Sequence, residues 1–355
     1  MRVGVATVFT PDVAGGAELH ADGLVDALKR AGHQVHRITG PFHFSPVEAT
    51  RYAMDAWASQ DHTRYGGGQI DRMICLKFPT YLMSHPDKVV WLLHQHRPAY
   101  ELFGTEYGFP AGDAQAEALR TAIIADDTRA LGSAQAVFAN AGRVAERLMA
   151  NNGVASTPLY HPPADAEAFH VSDAEPYIFV PSRIEALKRQ DLLIRALAET
   201  KSPAVALISG NGGRRETCEA LAHELGIAER VRFLGNVTRQ ELITLYAKSL
   251  GVFFGPLDED YGYVTLEAML SSKPVITCRD SGGPLEFVID GQTGFVTDPQ
   301  PAAVAAAIDR LYADRRRAAQ LGRNGRDRYA SMGISWDNVV EKLLAAGRIP
   351  EGMGD

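Results

Sequence analysis

Two carboxylates, Glu259 and Glu267, stand on either side of a turn marked by Gly262, with seven residues between them. Residues 250–254 form an apolar run typical of a buried strand, and the apolar spacing over residues 263–270 predicts a helix that begins near Gly262. At such a helix start, free backbone N–H groups and the positive end of the helix dipole form a site for phosphate. The stretch therefore combines an anion site with two acids.

The spacing of the two acids favours an arrangement in which they serve different parts of one ligand. On a single continuous helix they would lie about two turns apart along the axis. With a loop that extends to Gly262, Glu259 instead folds back beside the anion site, while Glu267 lies in the first turns of the helix. One acid could then bind the diol of a ribose and the other the hydroxyls of a sugar, as a nucleotide-sugar site requires. An acidic loop with a solvated face explains the same spacing.

Two cations, Arg183 and Lys188, follow the apolar run of residues 177–181, which predicts the first strand of a second domain. A diphosphate gathers negative charge as it leaves, and fixed cations aimed at it stabilise that charge most where water is scarce. Arginine suits bidentate contact with phosphate, and lysine acts as a compact point charge. The alternative is a solvated basic loop in which these cations pair with Glu185 or Asp191.

The elements that must position these residues form two alternations of strand and helix. In the first, a strand over residues 3–9 and a turn over 11–16 precede a helix whose apolar residues recur at i, i+3, i+4 and i+7 from Ala21, and a strand follows over residues 34–39. This βαβ pattern predicts an α/β domain. Its further elements are predicted as strands over 70–76, 88–93 and 136–139, a helix over 114–131 and a short helix over 48–58.

A proline-rich segment over residues 161–176 lacks periodicity and predicts a linker. After it, amphipathic runs, the clearest a helix over 191–197, alternate with strands over 177–181, 204–208, 231–234, 251–254 and 274–277. The predicted fold class is α/β, with two Rossmann-like parallel-sheet domains facing each other across a cleft. Ligands of such sheets bind at the carboxyl ends of the strands.

Several motifs, taken in order, resemble the retaining glycosyltransferases of family GT4, which have the GT-B fold. The motifs are Gly15-Gly-Ala-Glu18, His161-Pro-Pro-Ala-Asp165 with Phe169, Arg183 with Lys188, Phe233-Leu-Gly235, the Glu259 and Glu267 pair around Gly262, Ser281-Gly-Gly-Pro-Leu-Glu286 and Asp290-Gly-Gln-Thr-Gly-Phe295. The resemblance spans most of the chain. We accordingly expect an N-terminal acceptor domain over residues 1–165, a nucleotide-sugar domain over 166–330, and a helix within 331–355 that packs back on the first domain.

By position, the resemblance implies a role for each residue of the site. Arg183 and Lys188 would hold the diphosphate. Glu267 would bind the ribose hydroxyls, and Glu259 would contact hydroxyls of the transferred sugar. Backbone groups that cradle the distal phosphate and the sugar would come from Tyr261, Gly262, Tyr263 and Val264.

The resemblance also assigns backbone glycines and amides. Gly15 and Gly16 would let the first-domain loop approach the phosphate closely, although a plain tight turn uses the same residues. Gly210, Asn211 and Asn236 end successive strands and are candidates to line the base.

His94, which follows the apolar run of residues 89–93, is preferred to His96 as a first-domain residue at the reaction centre. The family often has a histidine here that reaches the transferred sugar or the acceptor hydroxyl, whereas a histidine at such a position is otherwise typically a satisfied core residue. No Asp or Glu of the first domain presents itself as an inverting base, which agrees with retention. The resemblance then implies that the acceptor attacks the face from which the diphosphate leaves, that a phosphate oxygen takes the proton, and that an α-linkage forms.

Two departures from the family pattern concern Asn140, which stands where a serine is common, and residues 258–260, which are unusually acidic. The acidic run raises the question of a divalent ion. No DxD motif is placed to hold a metal diphosphate, and the family generally works without metal. We therefore expect neither a metal nor a cofactor, the nucleotide sugar being a substrate.

Composition restricts the class of partner. The chain has 355 residues, 46% hydrophobic and 22% charged, which fits two globular domains. A net charge of −7 with a single tight basic run, Arg315 to Arg317, argues against nucleic acid as the main partner. Three cysteines without CxxC spacing disfavour a disulfide scaffold, and no apolar run approaches the roughly 20 residues of a membrane span. A cytoplasmic protein is predicted.

Acceptor recognition is predicted to fall to the irregular parts of the first domain, residues 41–68 and 97–112. Their aromatic residues, which could stack on a sugar, meet a lipid or simply pack the domain, are Tyr52, Trp57, Tyr65, Tyr100, Phe103, Tyr107 and Phe109. Up to Pro162 the chain has 14 Lys and Arg against 16 Asp and Glu, so at most weak peripheral membrane contact is expected. The expected acceptor is a sugar, a glycolipid or a small molecule, and Lys77 and Arg97 could bind one acidic group on it.

Three function classes fit these observations. The first is a glycosyltransferase of glycan or glycoconjugate biosynthesis, with a UDP-sugar as the expected donor. The second is a nucleotide-sugar epimerase of the same fold, which would convert the donor without an acceptor. The third is a nucleotide-sugar-binding protein without catalysis. Cations aimed at the leaving group favour the first, because a binder gains little from them. A dehydrogenase is disfavoured because Gly15 and Gly16 lack the GxGxxG form.

Overall fold

The computed structural model describes residues 1–10, 15–44 and 46–347. The predicted turn over residues 11–16 therefore lies largely outside the described residues. The chain divides into two units, Met1–His161 together with the segment from Ser335 onward, and Pro162–Ile334. Each unit is built around a six-stranded sheet whose strands are all parallel.

The strands of the first unit are β1 (Arg2–Phe9), β2 (Gln34–Pro41), β3 (Arg64–Tyr65), β4 (Gly68–Gln69), β5 (Arg72–Cys75), β6 (Lys88–Leu92), β7 (Ala136–Ala139) and β8 (Thr157–Pro158). Its sheet has the strand order β2-β1-β5-β6-β7-β8, and β3 and β4 form a separate antiparallel pair. The helices between them are α1 (Gly16–Arg30), α2 (Val47–Ala58), α3 (Ala114–Gly132) and α4 (Gly142–Asn152). The predicted elements are present. Helix α4 was not predicted, and β3, β4 and β8 were missed because two residues are too few to give a period.

The central strands β1, β5 and β6 of the first sheet are buried on both faces, which is why they read as continuous apolar runs and not as an alternation. Val3 and Val5 of β1, Trp91 of β6, and Leu24 and Leu28 of α1 belong to one core and are fully buried. The apolar stripe on α1 that the sequence predicts is thus the face that covers the sheet.

The strands of the second unit are β9 (Tyr177–Pro181), β10 (Val205–Ser209), β11 (Val231–Gly235), β12 (Gly251–Phe253), β13 (Val275–Cys278) and β14 (Gly294–Thr297). Its sheet has the strand order β11-β10-β9-β12-β13-β14. The helices are α5 (Gln190–Glu199), α6 (Arg215–Glu224), α7 (Arg239–Lys248), α8 (Tyr263–Leu270), α9 (Pro284–Phe287), α10 (Pro301–Ala313) and α11 (Arg315–Ser331). The sequence reasoning missed β14, because it is short, starts on a glycine and follows a polar turn.

The last helix, α12 (Trp336–Ala345), belongs to the first unit and packs on α1. The Trp336 indole lies against Gly23 so closely that a Cβ on Gly23 would overlap the ring. At the other end of α12, the fully buried Arg72 donates a hydrogen bond to the carbonyl of Leu343 at 2.7 Å and also pairs with Asp87. These contacts explain why the chain returns to the first unit after leaving the second.

The two parallel-sheet units confirm the predicted α/β fold class with two Rossmann-like domains. Among the helices of the described ranges, none combines the length and the apolar character that crossing a membrane requires. The carboxyl ends of β9, β12 and β13, which are neighbours in the second sheet, carry the predicted anion site.

Candidate active site

The loop of residues 255–262, which joins β12 to α8, is held in place by backbone hydrogen bonds on both sides. Leu257 N–H donates to the carbonyl of Leu187 at 2.8 Å, and Glu259 N–H donates to the carbonyl of Ser281 at 2.9 Å. The loop is therefore attached to the segments that follow both neighbouring strands.

Arg189, which the sequence reasoning did not single out, reinforces this loop. Its Nε donates to the carbonyl of Gly255 at 2.7 Å, and its two terminal nitrogens donate to the carboxylate of Asp280 at 2.7 and 2.8 Å. A bidentate arginine fixes both distance and direction. Arg189 thus connects the ends of β9, β12 and β13.

Gly282 permits the closest approach in this region. Its φ is +71°, and a Cβ there would lie 2.5 Å from the carbonyl oxygen of Glu259. A larger residue would push the loop away or strain the backbone. The Ser281-Gly-Gly motif therefore serves to bring its own backbone against the acidic loop.

Lys188 and Glu259 are in direct contact. Lys188 ends a short 3₁₀ turn, Ala186–Lys188, and its Nζ donates to Glu259 Oε2 while lying 5.6 Å from the centre of the Phe254 ring. The two side chains are only 19% and 20% exposed. The structure thus brings together one predicted cation and one predicted acid, at neighbouring strand ends.

Arg183 is placed differently from Lys188. The residue is exposed, and its side chain makes no hydrogen bond or ion pair with any residue in the described ranges. Its backbone carbonyl accepts a hydrogen bond from the buried Gln190 amide at 2.9 Å, which fixes the loop but not the guanidinium. The predicted convergence of two cations is therefore present for Lys188 alone.

Glu267, the fifth residue of α8, is buried and engaged at both oxygens. Arg239 donates to Oε1 at 2.8 Å, and the Tyr246 hydroxyl donates to Oε2 at 2.7 Å. Burial raises the pKa of Glu267, while Arg239 and Tyr246 act to lower it. Burial beside this carboxylate also raises the pKa of Tyr263.

Arg239, which contacts Glu267, was not singled out from the sequence. Besides Glu267 it binds Asp165 at 3.2 Å and the carbonyl of Ala164, and its guanidinium lies 5.0 Å from the centre of the Phe169 ring. A signal was available. Thr238 and Glu241 form a capping box that places residue 239 at the first position of α7, just beyond the carboxyl end of β11.

The residues predicted to cradle a phosphate surround the start of α8. Gly262 is the N-cap with φ +83°, and Tyr263 and Val264 form the first turn of the helix. Tyr261 is buried, with its ring edge-to-face against Tyr263 at 5.3 Å and Phe287 at 5.7 Å. This aromatic packing holds the residue before the N-cap in place, and so fixes where the backbone N–H groups at the start of α8 lie.

The residues predicted to line the base lie at the ends of β10 and β11. Gly210 N–H donates to the carbonyl of Gly235 at 2.7 Å, so the two strand ends are held together. Asn211 Oδ1 accepts a hydrogen bond from Arg215 at 3.2 Å, and Asn236 is exposed. Arg215, on the first turn of α6, joins this group and was not predicted.

Comparison with known proteins decides the family of the second unit. Residues 164–328 match the family Glycosyl transferases group 1. The Mycolicibacterium smegmatis protein named GDP-mannose-dependent alpha-(1-6)-phosphatidylinositol monomannoside mannosyltransferase is 38% identical over 187 residues, which cover 48% of each chain. The Nocardia farcinica protein named D-inositol 3-phosphate glycosyltransferase is 34% identical over 185 residues, which cover 49% of this chain and 40% of that protein.

The second unit is a group 1 glycosyltransferase domain.

This result confirms the family that the motifs indicated, and the chain spans about half the length of the curated relatives that it matches. A crystal structure of HepE from Anabaena, in complex with UDP and glucose, has a TM-score of 0.72 at 19% identity and covers 97% of this chain and 100% of that chain. At that identity the likeness shows the fold, in agreement with the predicted GT-B class of two parallel-sheet domains. The group 1 glycosyltransferase domain thus contains Lys188, Glu259 and Glu267.

In the unit that accompanies the glycosyltransferase domain, Gly15 and Gly16 stand at the start of α1. Gly15 is the N-cap, and its N–H donates to Glu18 Oε2 at 2.9 Å. Glu18 Oε1 lies 4.0 Å from Lys77 Nζ, so the lysine considered for acceptor binding has an acidic neighbour. Arg97, also considered, pairs with Glu101.

His94 and His96 differ in their surroundings. The partly exposed His94 donates from Nδ1 to the carbonyl of Gln95 at 2.6 Å. His96 is 3% exposed and packs among aromatic rings, with Phe78 nearest at 4.8 Å, and burial lowers its pKa to about 3. His96 is thus a neutral core residue, whereas the ring of His94 retains access to solvent.

Of the seven aromatic residues considered for acceptor binding, three are in the core, three are on the surface and Phe103 is half-buried. Trp57, Tyr100 and Phe109 are buried and pack the unit. Tyr52, Tyr65 and Tyr107 are exposed, Tyr52 to 77%. Asn140, which replaces a common serine, is buried at the end of β7, and its Oδ1 has no hydrogen-bond partner among the residues described.

The acidic run of residues 258–260 bears on the question of a divalent ion. Within the described ranges, no three His, Cys, Asp or Glu side chains are grouped in a way that could hold a metal ion. The charge that faces Glu259 is instead that of Lys188.

Proposed function

We propose that this chain is a retaining glycosyltransferase that moves a hexose from a nucleoside diphosphate sugar to a hydroxyl acceptor and forms an α-linkage. The observation that carries the proposal is the contact between Lys188 and Glu259 on a loop fixed at the strand ends of a group 1 glycosyltransferase domain. In this proposal Lys188 is the cation for the leaving group and Glu259 the acid for sugar hydroxyls, and one hydrogen bond joins their side chains.

In this proposal, donor binding opens the ion pair. The ammonium of Lys188 turns to the diphosphate, and Glu259 accepts hydrogen bonds from hydroxyls of the hexose. The loop does not need to reorganise, because its backbone bonds to residues 187 and 281 and its contacts with Arg189 involve neither side chain. Charge that is fixed before the reaction stabilises the departing diphosphate most effectively.

The exposed Arg183 adds a second positive charge once a phosphate is bound, and Glu267 binds the ribose. Gly15, Gly16 and His94 would act from the first unit, at the phosphate and at the acceptor. The acceptor hydroxyl attacks the anomeric carbon from the face from which the diphosphate leaves, so the new bond to the acceptor replaces the bond to phosphate and no enzyme carboxylate bonds to the sugar. A phosphate oxygen of the leaving group takes the proton of the acceptor hydroxyl. This chemistry is proposed to proceed without a metal or cofactor.

The donor is proposed to be a UDP-hexose, with GDP-mannose as the second candidate. The first is supported by the fold likeness to a protein crystallised with UDP and glucose, and the second by the name of a relative at 38% identity. The acceptor class remains a sugar, a glycolipid or a small molecule. A cytoplasmic location agrees with three cysteines that are all free and buried.

The experiment is a donor screen with the purified chain, in which released nucleotide is measured for UDP-, GDP- and ADP-hexoses with and without added EDTA. We expect one donor to be hydrolysed slowly without an acceptor, and EDTA to leave the rate unchanged. Conversion of the donor sugar without nucleotide release would identify an epimerase. Binding without either reaction would identify a protein without catalysis, and loss of activity with EDTA would refute metal independence.

A further inference from the structure

Glu267 poses an electrostatic problem that its own helix does not solve. The residue is 8% exposed, and an ionised carboxyl that is taken out of water is disfavoured unless charges or donors compensate it. A ribose diol donates two hydrogen bonds, so it needs an acceptor that carries no proton. Nucleotide recognition at Glu267 therefore depends on what keeps this carboxyl ionised.

We propose that Arg239 is a positioning residue that keeps Glu267 ionised and oriented, so that the domain selects nucleotides with free ribose hydroxyls across the neutral pH range. This inference rests on the proposed function, since it assigns Glu267 to the ribose. Arg239 acts through Glu267 and is not itself assigned a contact with the nucleotide.

The geometry supports this role because the guanidinium cannot readily move away. One of its nitrogens donates to Glu267 at 2.8 Å, while Asp165, the carbonyl of Ala164 and the ring of Phe169 hold the other side of the group. A guanidinium fixed on several sides is preorganised and loses little freedom when it binds one more group.

The charges around Glu267 come from several segments. Arg239 and Tyr246 of α7 favour its ionised form, Asp165 before β9 opposes it, and Tyr263 lies nearby on α8 itself. Arg239 is the only one of these groups that carries a positive charge. Without Arg239, burial and the repulsion from Asp165 still raise the pKa of Glu267, and only the Tyr246 hydroxyl among these groups lowers it. The pKa of Glu267 therefore rises further.

The test measures nucleotide binding by calorimetry between pH 5.5 and 8.5, with the full chain. The ligands are UDP or GDP, whichever the wild-type chain binds, and the matching 2′,3′-dideoxynucleotide. In the wild type we expect the ribonucleotide to bind about 10- to 100-fold more tightly, because hydrogen bonds to a charged group are lost in the analogue. As the pH is lowered, Arg239→Ala should lose this preference at a higher pH than the wild type does. Arg239→Lys keeps a positive charge and should lose the preference at a pH between those of Arg239→Ala and the wild type.

A merely structural role predicts a different result. If Arg239 only supported the fold, both nucleotides would weaken equally at every pH, and that outcome would overturn the inference. Arg195→Ala, which removes an exposed arginine from α5 in the same unit, should match the wild type throughout. Thermal melts of all variants show whether each one is folded.

Failure of the inference can be told apart from failure of the proposed function. Suppose that the wild-type chain releases nucleotide from a donor, but that the preference of Arg239→Ala for the ribonucleotide depends on pH as in the wild type. The inference then falls and the transferase proposal stands. If the wild-type chain binds no nucleotide at all, both fall.

Discussion

Replacing Lys188 with methionine tests the central claim about the site. Methionine keeps much of the side-chain length and volume but removes the charge that meets Glu259. Losing one preorganised charge contact with a leaving group is expected to lower kcat by about 10²- to 10³-fold, or about 2.7–4 kcal/mol of transition-state stabilisation. The contact is four-fifths buried on both sides, so solvent would not replace the missing charge efficiently.

The same substitution has a second expected effect, on nucleotide affinity. Without Lys188, the carboxylate of Glu259 has no cation in contact and repels the incoming diphosphate. A second variant, Lys188→Met with Glu259→Gln, removes that repulsion. We expect the double variant to recover nucleotide affinity relative to the single variant, whereas kcat stays low because the cation is still absent.

The assay combines turnover with the donor identified by the screen and calorimetry with the free nucleotide. The matched control is Lys248→Met. Lys248 ends the helix α7 and forms an ion pair with Glu175 in which both side chains are about half exposed. The control should change neither kcat nor affinity, since exposed pairs contribute little. Turnover at the wild-type level in Lys188→Met would refute the assignment of this charge to the leaving group.

Four other substitutions probe separate parts of the molecule. Glu259→Gln should abolish transfer while nucleotide affinity is largely kept; a collapse of affinity in calorimetry would assign this acid to the nucleotide. Arg183→Ala should raise the donor KM several-fold, with no change in Tm, because the exposed side chain supports no packing; a lower Tm would contradict this. Arg72→Met removes the ion pair with the partly exposed Asp87 and the bond to Leu343 on α12, so denaturant melts should show a loss of about 1–3 kcal/mol, and an unchanged midpoint would mean that α12 is held by other contacts. His96→Phe should flatten the acid dependence of stability. The folded pKa of about 3 lies below the unfolded value of about 6.5, so the unfolded chain binds more protons in that interval and stability falls as the pH drops through it. Denaturant melts at pH 7.5 and 5 would measure the free energy of unfolding of both proteins. An equal loss of that free energy between the two pH values in the variant and the wild type would refute the prediction.

The parts of the site that follow from strand periodicity could be predicted from the sequence. Apolar runs located β9 and β12, and these strands are neighbours in the sheet. Because parallel strands end at the same edge, the residues after them had to come close, and Lys188 and Glu259 do. The glycine at 262 fixed the start of α8, which put Glu267 in the helix and Glu259 in the loop.

The parts that depend on long-range side-chain pairing could not be predicted. Arg239 reaches Glu267 across 28 positions, and Arg189 reaches Asp280 across 91, and no local period records either contact. Nor does a motif determine exposure. Arg183 follows the same strand as Lys188, yet only the lysine is drawn into the loop by an acid in contact with it.

In the proposed mechanism, the pairing of opposite charges lets the site be rigid and still accept an anion. Arg239 and Glu267 are tied to surrounding groups on several sides, so they remain in place. Lys188 and Glu259, by contrast, are the hydrogen-bonded partners of each other through their side chains, and their backbones are fixed separately. A donor that offers phosphate to the lysine and hydroxyls to the acid replaces one ion pair with two contacts and disturbs no other bond in the loop of residues 255–262. The reorganisation needed on binding is thus confined to two side chains, which is the condition under which fixed charge contributes most to the transition state.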